Sequence, residues 1–188
     1  YPVLTPMAVD SSRPFPLIRN KSLNIGALVR KKDGGKELEF ATVQVPSVLP
    51  RIVEIPSGDG IRKVILLEEI IEKNMEKLFL SYDIVCAHPF RIMRNADLTI
   101  EEDEAADLLK EIEKQLKKRQ WGKAIRLEVE ANIDKKLLKM IENELHIKEE
   151  ELYRIAGPLD LTFLMKMYGM EGFDHLKKPG YTPQPVPE

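Results

Sequence analysis

The chain has 188 residues, 43% hydrophobic and 32% charged, the balance of a soluble domain with one buried core. Lys and Arg number 29 against 31 Asp and Glu, a net charge of −2, so no basic excess recommends nucleic acid as a partner. The single cysteine, Cys86, excludes an internal disulfide framework and a thiolate zinc site, and the apolar run 64–71 is too short, and too charged at Glu68 and Glu69, to span a bilayer.

The first residues, Tyr1-Pro2-Val3-Leu4, carry no initiating methionine, basic n-region or cleavage site, and Pro179, Pro183, Pro185 and Pro187 suit an extended connector. Both ends are therefore expected to continue into a longer polypeptide. Residues 1–21 hold Pro2, Pro6, Pro14 and Pro16 beside Phe15, Leu17 and Ile18, the pattern of an extended arm lying on the domain surface. Residues 23–30 and 38–45 are predicted strands joined by the Gly34-Gly35 turn, with the inward face of the second left ambiguous. Residues 51–55 and 63–66 are further strands around the turn Ser57-Gly58-Asp59-Gly60. A helix over 67–78 places Leu67, Ile70, Ile71, Met75 and Leu78 on one face and Glu68, Glu69, Glu72, Lys73 and Glu76 largely opposite.

Residues 82–93 return as a strand with Pro89 at a bulge or edge position. Thr99 and Glu102 form a capping-box pattern, and the helix over 100–119 runs from an acidic start to a basic end, as the helix dipole favours. Residues 124–130 alternate Ile125, Leu127 and Val129 against Arg126, Glu128 and Glu130, a strand with one wet face. A helix over 135–145, a short strand over 152–156 and a last helix capped by Asp160 and stopped at Gly169 complete the order. Strands first, then strand–helix alternation, give an α+β or mixed-sheet domain with about four helices.

The chemistry-bearing residues are few. Of His88, His146 and His175, His146 fits a helix end and His175 lies near the proline tail; His88 is the candidate nucleophile or base, set against the commoner case of a strand histidine with a hydrogen-bonded partner. The acidic run 101–104 reads as a helix start rather than a magnesium site, Cys86 as a small core residue, and the glycine pairs as turns without the phosphate-loop lysine. Met165, Met167 and Met170 suit a core or a subunit contact. Arg91 and Arg94, at the end of a strand, are the candidate phosphate- or polyphosphate-binding pair, weighed against an ordinary Arg94–Asp97 ion pair at the corner. No catalytic residue and no metal ligand is assigned.

The segment Phe90-Arg91-Ile92-Met93-Arg94-Asn95-Ala96-Asp97 resembles the middle, or head, domain of bacterial polyphosphate kinase. Matching stretches are Tyr1 to Asp10, Pro14-Phe15-Pro16, Val45 to Arg51, Ile125 to Val129 and Tyr153 to Leu159, in order along nearly the whole chain. The resemblance implies residues 1–22 as an arm from a preceding N-terminal domain, 23–178 as the head domain, and 179–188 as a linker to catalytic domains. It implies a fold similar to phosphohistidine phosphatase, which by itself carries no phosphatase chemistry. The whole enzyme of that family transfers the terminal phosphate of ATP reversibly to polyphosphate through a phosphohistidine, with ATP and Mg²⁺, in the cytoplasm or peripheral to the inner membrane. The motifs for that chemistry belong to other domains and none is present here, so the implied role is scaffold and homodimer contact.

Overall fold

A computed structural model describes residues 2–9, 15–35, 37–58, 60–95 and 122–184. Its strands are β1 (Pro6–Val9), β2 (Leu23–Lys31), β3 (Glu39–Gln44), β4 (Ile52–Ile55), β5 (Lys63–Leu66), β6 (Tyr82–Arg94), β7 (Ala124–Glu130) and β8 (Leu152–Ile155). The α-helices are α1 (Leu67–Glu72), α2 (Lys135–Leu145) and α3 (Phe163–Tyr168). Six strands form a sheet in the order β1-β3-β2-β6-β7-β8, antiparallel throughout except for the β7–β8 pair; β4 and β5 form a separate hairpin. This is the α+β class expected. The helix expected over 100–119, its capping box and the acidic run 101–104 lie outside the described residues.

Both faces of the sheet are covered, so alternate residues of the central strands enter different cores. On one side Leu23, Ile25, Ala27 and Val29 of β2 join Ala41 and Val43 of β3, Leu67 and Ile71 of α1, and Met75, Phe79 and Leu159. On the other, Leu28 joins Phe40, Phe90, Ile92, Leu127 and Val129 beneath Leu137, Leu138, Ile141 and Leu145 of α2. The ambiguous alternation of β3 is thus two buried faces, a pattern more usual for sheets covered by helices on both sides. Gly26 fits closely where the second core closes over β2: a Cβ there would lie 3.1 Å from the Phe90 ring and 3.3 Å from the Phe40 ring, tight enough to push them back.

The N-terminal segment is bound more closely than a surface arm. β1 pairs with β3 as an edge strand, Phe15 stacks on Phe40 with ring centroids 4.7 Å apart, and Ile18 is only 1% exposed. Pro6 opens the edge strand, a position where a missing N–H is tolerated.

Local chemistry sets the helix bounds. α1 ends at Glu72 rather than near residue 78, where the Asn74 side-chain Nδ2 donates to the Ile70 carbonyl at 2.7 Å, and a short 3₁₀ turn, Met75–Lys77, carries the apolar face onward. α2 is capped by Asp134, whose Oδ1 accepts from the amides of Lys136 (2.8 Å) and Leu137 (3.1 Å), and it ends at His146 in the left-handed conformation. α3 starts at Phe163 without a side-chain cap; Asp160 instead accepts from the Thr162 amide in the preceding turn. Gly169 terminates α3 in right-handed geometry, so its freedom of φ is not used.

The Asp134 cap has a pH signature. The Leu137 amide, then that of Lys136, holds its carboxyl below the usual value, so the fold favours the carboxylate. A depressed folded-state value gives stability that is complete above the unfolded value and is lost as pH falls through the folded one. Asp134→Ala is expected to cost about 1 kcal/mol in urea unfolding at neutral pH. The gap between the two proteins should close as pH falls below about 4.

Candidate functional site

The described residues hold a network of charges buried against one face of the sheet. Arg51 precedes β4, and its Nε meets both carboxylate oxygens of Glu68, in the first turn of α1, at 3.1 and 3.0 Å. Its Nη groups donate to the carbonyls of Leu159 and Asp160, and its guanidinium lies over the Phe163 ring at 4.9 Å. Directly across the β6–β7 ladder, Arg91 Nη1 donates to Glu128 at 3.2 Å, while Arg126 Nε takes the other oxygen of Glu128 at 2.8 Å and stacks over Tyr153 at 3.8 Å. The Asp160 carboxylate reaches both halves, 3.9 Å from Arg51 Nη1 and from Arg91 Nη2. Arg51, Arg91 and Arg126 are therefore matched by Glu68, Glu128 and Asp160. Both glutamates are 5% exposed, although periodicity puts Glu68 on the polar side of its helix and Glu128 on a wet strand face. A carboxylate can be buried there because an arginine from elsewhere in the chain neutralises it.

The candidate pair Arg91 and Arg94 separates into different surroundings. Arg91 belongs to this network and also donates from Nε to the Lys21 carbonyl at 3.3 Å. Arg94, opposite a register shift that leaves Ile125 of β7 unpaired, donates to the carbonyls of Ile18 at 3.0 Å and Gly122 at 2.9 Å; burial pushes its pKa down from the usual value, and it remains a cation. Asp97, the ion-pair partner considered for Arg94, lies outside the described residues.

His88 sits where β6 is paired with β2 alone, since β7 joins only from Phe90, just beyond Pro89. Its Nδ1 is 3.0 Å from Glu130 Oε2, at the last residue of β7. Glu72, the last residue of α1, completes a half-buried group in which one ligand atom of each residue lies within 4.8 Å of the others. Burial raises the Glu72 pKa, and the nearby charge of Glu130 raises it further. An open cavity of about 450 Å³ adjoins this group, lined by Glu68, Glu69, Glu72 and Glu130 with Pro89 and Leu159. Neither His146, at the end of α2, nor exposed His175 joins it. Cys86 is half-buried and its thiol is raised by burial, which disfavours the thiolate. A second cavity, of about 510 Å³, is lined in part by Arg19, Lys21, Arg51 and Lys166. A third, also about 510 Å³ and more apolar, is formed by Leu164, Met167, Tyr168, Met170, Phe173 and Leu176 among others.

Known proteins share this arrangement of chain. Residues 1–167 match the family model described as the polyphosphate kinase middle domain. The chain belongs to the polyphosphate kinase family. A polyphosphate kinase from Halalkalibacterium halodurans is 48% identical over 188 residues, covering 98% of this chain and 27% of that protein. One from Bacillus cereus is 46% identical with the same coverages, and polyphosphate kinase 1 of Chlorobaculum tepidum is 40% identical over 91% of this chain and 25% of its own. The crystal structure of polyphosphate kinase from Porphyromonas gingivalis matches with a TM-score of 0.68 over 98% of this chain and 25% of that one; at 21% identity it shows the fold. The chain thus spans about a quarter of the length of the relatives it matches. The family read from the segments around Arg91 and Tyr153 is the one the comparisons give.

Breaking the network strands a buried charge. Glu68→Ala leaves Arg51 without its main counter-ion and is expected to destabilise the polyphosphate kinase middle domain by about 3–5 kcal/mol. Asp174→Ala, which removes the exposed Lys177–Asp174 pair, is expected to change stability by less than about 0.5 kcal/mol. Parallel denaturant titrations check the contrast.

Proposed function

We propose that this middle domain is the non-catalytic assembly part of an enzyme that moves the terminal phosphate of ATP reversibly to polyphosphate through a phosphohistidine. ATP and Mg²⁺ are assigned to parts of the polypeptide outside this chain. The observation that carries the reading is how the arginines are used. Phosphoryl transfer needs concentrated positive charge around the moving phosphate. Here Arg51, Arg91 and Arg126 are matched by carboxylates, and Arg94 is spent on carbonyls. These groups do not fit a site for nucleotide phosphates; they fit a rigid support.

The surface around α3 supports the same reading. Met165 is 79% exposed and Tyr168 61%, with Leu161 and Leu164 beside them, an apolar strip that costs free energy when left in water. With the chain covering about a quarter of its relatives, the proposed occupant is a neighbouring domain of the same polypeptide. A homodimer and a cytoplasmic location extend the reading by family likeness; among the described residues no helix is long and apolar enough to cross a membrane.

The test compares the 188-residue chain with the full-length polypeptide. The chain alone is expected to make no polyphosphate from ATP and Mg²⁺, while the full-length protein does; synthesis by the chain alone overturns the division of roles. In the full-length protein, Met165→Glu/Tyr168→Glu is expected to lower synthesis and alter sedimentation without lowering the melting temperature of the 188-residue chain. The alternative reading, polyphosphate or nucleotide bound through Arg91 and Arg94, is measured by titrating polyphosphate into the chain and its Arg91→Ala/Arg94→Ala variant. Negligible binding by both is expected, and retention lost in the variant would favour the alternative.

A further inference from the structure

We propose that Glu72, His88 and Glu130 form a binding site for a borderline divalent cation of the Zn²⁺ class, a site independent of the assembly role above. The three side chains come from separate elements and meet at one point: the end of α1, the part of β6 that β7 leaves uncovered, and the last residue of β7. Each offers one ligand atom, and these lie within 4.8 Å of one another. Zinc bonds to nitrogen and carboxylate oxygen are about 2.0–2.2 Å long, which puts neighbouring donors roughly 3–3.5 Å apart. The 3.0 Å between His88 Nδ1 and Glu130 Oε2 already has that spacing, and an oxygen of Glu72 lies within 4.8 Å of both residues' ligand atoms.

The donor set selects the ion. One imidazole with two carboxylates suits zinc or a neighbouring transition metal, whereas Mg²⁺ and Ca²⁺ prefer oxygen alone. The groups are half-buried, which shelters a bound ion and still permits entry. The cavity of about 450 Å³ beside Glu72 and Glu130 leaves room for a water or another ligand at the remaining coordination positions. With the ion absent, two carboxylates face each other across a single imidazole, and Glu69 adds further negative charge against Lys73. A divalent cation relieves that crowding. It would also tie the end of α1 to the middle of β6 and the end of β7.

Calorimetric titration of the metal-free 188-residue chain with Zn²⁺ at neutral pH tests the site. One saturable equivalent is expected, with a rise in melting temperature on loading. Glu72→Gln, isosteric and on a half-buried helix end, is expected to weaken binding at least about tenfold and abolish the thermal shift. His88→Asn should do the same, while His146→Ala/His175→Ala should bind as the parent does. Co²⁺ should give a visible absorption band that the Glu72→Gln protein lacks. No saturable equivalent in the parent, unchanged affinity in Glu72→Gln, or Mg²⁺ binding as tight as Zn²⁺ overturns the proposal.

Discussion

A guanidinium taken out of water needs a counter-ion and acceptors for its N–H groups, and Arg51 obtains both from across the chain. Glu68 supplies the charge, and the carbonyls of Leu159 and Asp160, 108 and 109 residues away, take the remaining donors. The β4–β5 hairpin shares no ladder with the main sheet, so its placement draws on this arginine, on Arg62 Nη1 donating to the Glu171 carbonyl at 2.9 Å, and on the buried Leu66 and Leu67 where it runs into α1. Asp160 then passes the constraint to Arg91 and hence to Glu128 and Arg126. Hairpin, first helix, sheet and the approach to α3 are thereby linked, by hydrogen-bonded pairs within each half and by the longer 3.9 Å contacts of Asp160 between them. Apolar contact alone, being non-directional, would leave them freer to slide.

The same economy appears in the sheet. β2 is apolar on nearly every residue because it is covered twice, by the α1 side and by α2. A strand of that kind has no polar face to set its register by hydrophobic alternation. Shape helps to define the register: the Phe40 and Phe90 rings, 6.4 Å apart, close over Gly26, where a Cβ would crowd them. Opposite Leu28 and Val29 the register shifts by one residue, leaving Val85 of β6 as a bulge.

Elements governed by local pattern were legible in the sequence almost to the residue: β5, β7 and α2 follow from alternation, periodicity and their bounding turns. α1 was legible in its start and its apolar face but not in its length, since Asn74 could as well have continued the helix as captured the Ile70 carbonyl. The site was less legible. A buried Glu68 or Glu128 looks like any surface acid until its arginine is located, and Arg51 lies 17 residues from Glu68. His88 and Glu130, 42 residues apart, share no short spacing that a metal motif would reveal. Arg91 and Arg94 mislead in the opposite sense. They are close in sequence, yet an odd spacing of three along a strand puts them on opposite faces, where the second meets the carbonyls of Ile18 and Gly122.

Internal neutralisation of arginine has a consequence in the proposed setting. A domain held beside a site that handles polyanions would compete for them if its guanidinium groups were free, because each presents a fork that fits phosphate. Matching Arg51, Arg91 and Arg126 with Glu68, Glu128 and Asp160 removes that competition, and the fields of such close pairs fall off faster than those of single charges. Salt screens the two inner pairs, Arg51–Glu68 and Arg91–Glu128, only weakly, their side chains being 15% exposed or less, and Arg126, at 35%, more. These arginines can stand next to phosphate chemistry without drawing phosphate to themselves, and the near-zero balance of the chain as a whole follows the same logic at larger scale.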